Sequence, residues 1–349
     1  MPNLSYRQPE LILARDGSTA TDRQIRDLQR HLRALGYLKA GIDGKFADLT
    51  TAAVKALQYD LLYHEGQGEG DDGDPPVKIK GYNHGRVTQI TGTVDQSLAA
   101  CISDMLDDPA FPQLPWTGDP QTENRKVMSL INAMSPPGVP LPFLKAILKQ
   151  ESQFQHYHVP VDPHDNDTFI TIGLDHNNKT HPESITSRGY GVGQYTLFHH
   201  PPHASEIDDF MQDPIKNLQR AVMELQSKFE QYILGPNAGT QADDRLSEHD
   251  KQPLRWCKYL AADPRYLQDC QACAREAGAM DIVEQVTHWY EGSDQTFYPT
   301  QYYPQASYTQ VPIRKNFPCD WPYAARRYNG SGINSYHYQV IILKNLLVV

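Results

Sequence analysis

The stretch Asp22-Arg-Gln-Ile-Arg-Asp-Leu-Gln-Arg-His-Leu-Arg-Ala-Leu-Gly36 sets Ile25, Leu28, Leu32 and Leu35 at helical spacing and ends on a glycine where a C-terminal cap belongs. It predicts an amphipathic helix with one face turned to a core. Gly41-Ile-Asp-Gly44 supplies a turn, and a second helix is expected from about Leu49 to Leu61 with Ala53, Val54, Leu57 and Leu61 on its apolar side. A third helix follows Gly92-Thr-Val-Asp95, with Asp95 as its N-cap and Leu98, Ala99, Ile102 and Leu106 facing inward. The run Glu65-Gly-Gln-Gly-Glu-Gly-Asp-Asp-Gly-Asp-Pro-Pro76 contains no core-forming residue and reads as an exposed acidic loop.

Outward from these helices, the Pro-rich stretch 108–121 has no periodicity and marks a boundary. The expected organisation is an arm over 1–17, a helical domain over 18–107 with the acidic loop inserted at 64–88, the linker 108–121, and a second domain over 122–349. In that second domain helical spacing returns near 122–134 and 141–153. An irregular stretch with β-prone runs such as Thr168-Phe-Ile-Thr-Ile172 comes next, and Asp213-Pro214 then opens a long helix. Further helices are expected near 277–291, 320–329 and 333–346, so the fold class is mainly α with a small β or irregular insert.

Composition narrows the function classes. Across 349 residues, 32 Lys and Arg stand against 42 Asp and Glu, a formal charge of −10, which argues against a nucleic-acid protein because phosphate neutralisation needs surplus cation. No apolar run reaches the roughly 18 residues of a membrane span. The first ten residues carry neither a basic region leading into an apolar one nor a small-residue cleavage site, so Sec export is not expected and delivery by another route is. Five cysteines stand at 101, 257, 270, 273 and 319. Cys101 suits a small buried hydrophobe, and the four later ones have the number for two disulfides. The histidines at 156, 158, 164, 176, 181, 199, 200 and 203 reproduce no zinc signature, and neither metal nor cofactor is expected.

In the first domain, Ile25-Arg-Asp-Leu-Gln-Arg-His-Leu-Arg-Ala-Leu-Gly-Tyr37, Ile42-Asp-Gly-Lys-Phe46 and Thr50-Thr-Ala-Ala-Val-Lys-Ala-Leu-Gln58 follow in order. Together they resemble the three-helix peptidoglycan-binding domain family. A degenerate second copy of the turn-then-helix element is Ile90-Thr-Gly-Thr-Val-Asp-Gln-Ser-Leu-Ala-Ala100. Asp43-Gly44 makes a turn that needs positive φ, Phe46 plugs the space between helices, and Gln58 closes the second one. Ala47 departs from the family's usual Gly.

In the second domain, Leu144-Lys-Ala-Ile-Leu-Lys-Gln-Glu-Ser-Gln-Phe154 is a largely apolar helix that ends in a carboxylate. Desolvation there raises the pKa of Glu151 and lets it stay protonated long enough to act as an acid. Ser187-Arg-Gly-Tyr-Gly-Val-Gly-Gln194 lets backbone approach a ligand closely, and Tyr328-Asn-Gly-Ser-Gly332 stands between two helices. The three motifs in this order resemble the lytic transglycosylase and goose-type lysozyme superfamily. The resemblance implies a lysozyme-like catalytic domain with Glu151 as general acid on the bond between N-acetylmuramic acid and N-acetylglucosamine. It implies Tyr190, Gly191, Gln194 and Tyr195 along the sugar cleft, Tyr328 and Asn329 supporting the acid and its neighbouring subsite, and Ser152 as either a substrate contact or a local cap. Val192-Gly193 replaces the usual Leu-Met of the turn.

Hydrolysis with inversion needs a second carboxylate about 6.5–9.5 Å from the acid to activate water. Asp162 and Asp175 are the candidates, with Asp175 favoured because Ile172-Gly-Leu-Asp175 leads toward the Gly-rich turn. A lytic transglycosylase needs no such base, since the muramic 6-hydroxyl attacks its own anomeric carbon. The expected function is a monomeric muramidase acting on peptidoglycan glycan strands in the periplasm or outside the cell. It would be delivered by a secretion system as an antibacterial effector, with a carrier and a cognate immunity protein, or by phage. The alternatives are the transglycosylase and a non-catalytic wall-binding protein.

Overall fold

A computed structural model describes residues 4–68, 73–136, 138–160, 169–231, 321–330, 333–346 and 348–349. Its helices are α1 (Asp22–Ala34), α2 (Asp48–Tyr63), α3 (Gln96–Asp107), α4 (Pro120–Ala133), α5 (Leu141–Ser152), a short α6 (Ala204–Glu206) that runs into a π-helical turn, α7 (Pro214–Phe229), α8 (Trp321–Tyr328) and α9 (Ile333–Asn345). The strands are β1 (Tyr157–His158), β2 (Phe169–Ile170), β3 (Ile172–Asp175), β4 (Ser187–Tyr190) and β5 (Tyr195–Leu197). Helices therefore dominate the described residues. The expected helix at 277–291 and Cys257, Cys270, Cys273 and Cys319 lie outside them. Among the described residues no helix is long and apolar enough to cross a membrane.

The chain divides into two compact units, one of residues 1–128 with 155–217 and one of residues 129–154 with 218–349. The insert at 155–217 thus packs with the N-terminal helices, whereas the sequence boundary at 121 assigned it to the second domain. Its own strands bury too few apolar side chains to stand alone, and a hydrophobic partner is the expected remedy.

In the first unit, α1 starts at a capping box. Thr21 Oγ1 accepts from Gln24 N–H at 3.3 Å, and Gln24 Oε1 accepts from Thr21 N–H at 2.8 Å. Two glutamines then fasten the helices in the same way. Gln29 Oε1 accepts from the amides of Asp43 at 3.1 Å and Gly44 at 2.9 Å, while its Nε2 donates to Asp43 Oδ1 and Lys45 O at 3.0 and 3.1 Å. Gln58 Oε1 accepts from Thr91 and Gly92 at 2.9 and 2.8 Å, and its Nε2 donates to Thr91 Oγ1 and Thr93 O, both at 3.1 Å.

Each helix thus grips the turn that precedes the next one, and each turn has a glycine at positive φ, Gly44 at +77° and Gly92 at +74°. Phe46 and Val94, the apolar plugs after the two turns, are buried. The degenerate second copy is therefore a structural repeat of the first. The repeat differs at the cap: Asp95 Oδ1 accepts from Leu98 N–H at 2.8 Å, whereas Ala47 gives α2 no side-chain cap. Leu28, Leu32, Leu35, Val54, Leu57, Leu61, Leu98, Cys101 and Ile102 form one core with Tyr6 and Leu13 of the arm.

The insert of this unit pairs β1 with β2 and lays β3, β4 and β5 side by side as an antiparallel meander. Its core is Tyr157, Ile170, Ile172, Tyr190, Leu197, Ile207 and Met211, together with Leu114. Arg188 ties the sheet to the helices: buried on β4, it donates from Nε to Gly36 O at 3.2 Å and its guanidinium lies 5.6 Å from the Tyr37 ring centre.

In the second unit, α5, α8 and α9 pack against one another. Phe143, Leu144, Ile147 and Leu148 of α5 are fully buried, and Asn345 Nδ2 of α9 donates to Ala146 O at 3.1 Å. Trp321 at the start of α8 stacks on Phe229 at the end of α7, with ring centres 4.3 Å apart. This packing positions the last turn of α5.

Candidate active site

Glu151 sits in that last turn. The helix ends immediately after it, with Gln153 at φ +54° and Phe154 at φ +63°, two successive non-glycine residues in the left-handed region. Such residues cost of order 1–3 kcal/mol each and cluster at functional sites. Tyr338 of α9 donates its hydroxyl to Glu151 Oε1 at 2.6 Å. Burial among apolar helix faces raises the Glu151 carboxyl to about 7, and the Tyr338 hydrogen bond, which favours the charged form, opposes that rise. The residue as a whole keeps partial solvent exposure. A buried carboxyl poised near neutrality and held at one oxygen has the properties of a general acid or base.

Tyr328, at the end of α8, has its hydroxyl pushed well above the ordinary phenol range, by burial first and then by the negative charges of Glu151 and Glu224. It lies within the electrostatic reach of Glu151, and Asn329 beside it is exposed. The direct hydrogen bond to the acid comes instead from Tyr338, on which the sequence carried no motif. Ser152 is buried and donates to Leu148 O at 3.1 Å, bonding back into its own helix as a local cap would.

The Gly-rich turn belongs to the first unit and is the β4–β5 hairpin. Gln194 N–H donates to Gly191 O at 3.2 Å, and Tyr190 pairs with Tyr195. His156 and Asn217 hold it from beneath. Val192 N–H donates to His156 Nδ1 at 3.3 Å, which places the ring proton on Nε2, 2.7 Å from Met211 O. Desolvation lowers His156 to about 4, so it is neutral in this role. Asn217 Oδ1 accepts from Gly193 N–H at 2.7 Å, and its Nδ2 donates to Tyr190 O and Phe210 O at 2.8 and 3.0 Å. Gly191, at φ +71°, faces this clamp so closely that a Cβ would stand 2.5 Å from Asn217 Nδ2 and 2.8 Å from His156 Cε1. The requirement at Gly191 is thus close packing against the protein's own clamp.

Three expectations for this segment change. Tyr190, expected along a sugar cleft, is fully buried in the core of the insert. The Gln194 side chain folds over the Gly173–Gly189 cross-strand pair, and its Nε2 donates to Gly191 O at 2.9 Å, so it braces the hairpin. Asp175 pairs with Ser187, whereas the turn begins after the Ile172–Tyr190 pair. Three residues of strand set it roughly 10 Å along the sheet from the turn it was expected to approach. Asp175 is partly exposed and touches Asn177. Tyr195 remains partly exposed and stacks on Phe210 with ring centres 4.3 Å apart. Asp162, the other candidate for a second carboxylate, and His164 lie outside the described residues.

Among the described residues, His199, His203 and Glu206 are the one group of three ligand-type side chains close enough to share a metal ion, their ligand atoms lying within 4.8 Å of one another. Glu206 already serves both histidines, while His199 Nδ1 is buried without a hydrogen-bond partner. His199 Nε2 is 2.8 Å from Glu206 Oε2, which also accepts from His203 N–H at 2.7 Å and closes the first turn of α6. Cys101 is buried and unpaired by any disulfide, as a small apolar residue would be.

Compared with known proteins, residues 21–61 match the family model described as a peptidoglycan binding domain. The match spans α1, the Gln29-held turn and most of α2, and it associates the chain with the cell wall. No curated protein and no solved structure matches the chain.

Proposed function

We propose that the chain is a peptidoglycan-degrading muramidase, brought to the wall by its N-terminal helices and cleaving the β-1,4 bond between N-acetylmuramic acid and N-acetylglucosamine. The observation that carries the proposal is Glu151: a carboxyl raised to about 7, gripped by Tyr338, at the end of an apolar helix. Near neutral pH such a group is held protonated far more than an ordinary carboxyl and is ready to donate. Glu151 gives its proton to the glycosidic oxygen as the bond to the anomeric carbon breaks. A water oxygen bonds that carbon from the opposite face, and its proton passes to a second carboxylate. The place of action is the periplasm or the exterior. Delivery as an antibacterial effector, with a carrier and an immunity protein, accords with such a target.

The same raised carboxyl favours a second mechanism. A group balanced near pH 7 donates a proton in one step and accepts one in the next, so Glu151 alone serves a lytic transglycosylase that closes a 1,6-anhydro ring. Clearing of dye-labelled sacculi tests both routes at once. The wild-type chain is expected to release dye, and Glu151→Gln to release about 10²–10⁴-fold less. Release by neither above the buffer control would leave only a wall-binding protein, and equal release by both would move the catalysis off Glu151.

A further inference from the structure

Within the first unit, an open pocket of about 280 Å³ lies between the C-terminal end of α2, with the residues that follow it, and the 184–200 segment. Most of its lining falls outside residues 21–61, which match the peptidoglycan-binding family. Its floor holds two buried polar side chains with unused hydrogen-bonding capacity. His200, 3% exposed, makes no well-directed hydrogen bond at either ring nitrogen beyond an interaction with the Leu35 backbone, and Arg188, also 3% exposed, makes no hydrogen bond from Nη2. Buried groups of this kind are nearly always satisfied in a working protein, and these line a space open to a ligand.

The remaining lining says what that ligand is. Arg188 is balanced by Asp60, 3.8 Å from its Nη2, and Glu65 at the rim is paired with Lys80, so the pocket has no surplus charge to attract an ion. His64 Nδ1 accepts from Ile79 N–H at 3.3 Å, and its ring also bonds the His200 backbone, which fixes it at the pocket wall. At the rim stand Tyr63, 55% exposed, and Phe198, 46% exposed, with Tyr59 5.0 Å from Tyr63 between ring centres. Exposed aromatic faces over a charge-balanced donor suit the flat apolar face and the carbonyl and hydroxyl oxygens of a sugar. The volume, near the lower bound of about 300 Å³ for small-molecule sites, fits one ring and not a polymer.

We propose that this pocket binds a single N-acetylated amino sugar of a glycan strand, with its acetamido and hydroxyl oxygens on Arg188 Nη2 and His200 and its ring against Tyr63 and Phe198. The assignment rests on the wall-directed function proposed above. The insert thereby enlarges the binding unit beyond its three helices.

The test uses the full chain carrying Glu151→Gln, so that glycan is not consumed, titrated with the N-acetylglucosamine–N-acetylmuramic acid disaccharide while amide NMR shifts are followed. The amides of residues 65–68 and 184–188 are expected to move together with one dissociation constant. Tyr63→Ala with Phe198→Ala, both exposed positions that leave the melting temperature in place, is expected to weaken that binding at least about tenfold. Unmoved amides, or an unchanged constant in the double variant, overturn the assignment. Co-sedimentation with purified sacculi separates the two claims. Sedimentation with unmoved pocket amides leaves the wall reading and removes the pocket, whereas pocket binding without sedimentation does the reverse.

Discussion

Tyr338 donates a 2.6 Å hydrogen bond to Glu151 across 187 positions of sequence, joining the last turn of α5 to the middle of α9. This bond opposes the rise that burial imposes on the Glu151 carboxyl. In Tyr338→Phe the opposition is gone and burial remains, so the pKa moves higher still. An acid catalyst is active while protonated, so the alkaline limb of the rate on sacculi shifts to higher pH. The maximal rate falls about tenfold, less than the about 10²–10⁴-fold loss for removing the acid itself. A pH profile of the two proteins checks both effects, and an unmoved limb would show that the bond does not tune the acid.

Glu151 also sets a pH dependence of stability. Its folded pKa of about 7 stands above the ordinary 4.5, so folding favours the protonated form. Stability is therefore undiminished below pH 4.5, declines as pH rises to about 7, and then levels off at a cost of about 3 kcal/mol. Glu151→Gln is always neutral and escapes that cost. Denaturant unfolding is expected to show the variant more stable than wild type at pH 8 and their difference collapsing at pH 4, a trade of stability for function.

Gly191 faces Asn217 and His156 at distances that leave no room for a methyl group, and its φ of +71° disfavours any side chain. Gly191→Ala is expected to cost about 2–4 kcal/mol by displacing the clamp that holds Val192 and Gly193. Thermal unfolding of the first unit measures it. A loss under about 1 kcal/mol would show the hairpin to be held by other contacts.

The two Gln-held turns differ in one removable respect. Ala47 occupies at α2 the N-cap place that Asp95 occupies at α3, and its extended backbone already has the cap conformation. Ala47→Asp is expected to stabilise the unit by about 1 kcal/mol through a bond to a first-turn amide and the favourable helix dipole. A rise in denaturant midpoint with unchanged slope is the signature.

What the sequence disclosed follows from how local each feature is. α1, its two followers and the turns at Gly44 and Gly92 were legible because period, cap and glycine lie within a dozen residues of one another. Glu151 was legible for the same reason, as a carboxylate closing an apolar helix. Tyr338 was not, because a tyrosine within a helix carries no signal until α9 packs on α5. His156 and Asn217 were likewise invisible as a pair, since their common target, the amides of 192–193, is brought to them only by the sheet. Tyr190 and Gln194 show the opposite hazard. Residue types suited to sugar contact were assigned from motif order, while strand register turned one into the core and the other onto the Gly173–Gly189 shelf. Asp175 was misplaced by the same register, a property that neither composition nor spacing encodes.

The central claim, that Glu151 breaks a glycosidic bond in peptidoglycan, is tested most directly by mass spectrometry of fragments released from purified sacculi by wild type and by Glu151→Gln. The predicted result is disaccharide-peptides with reducing muramic ends from wild type and none above the buffer control from the variant. Anhydro ends from wild type alone would keep Glu151 as the catalyst and replace the water-activating carboxylate with the intramolecular route. Fragments released equally by both proteins, or by neither, would contradict the claim.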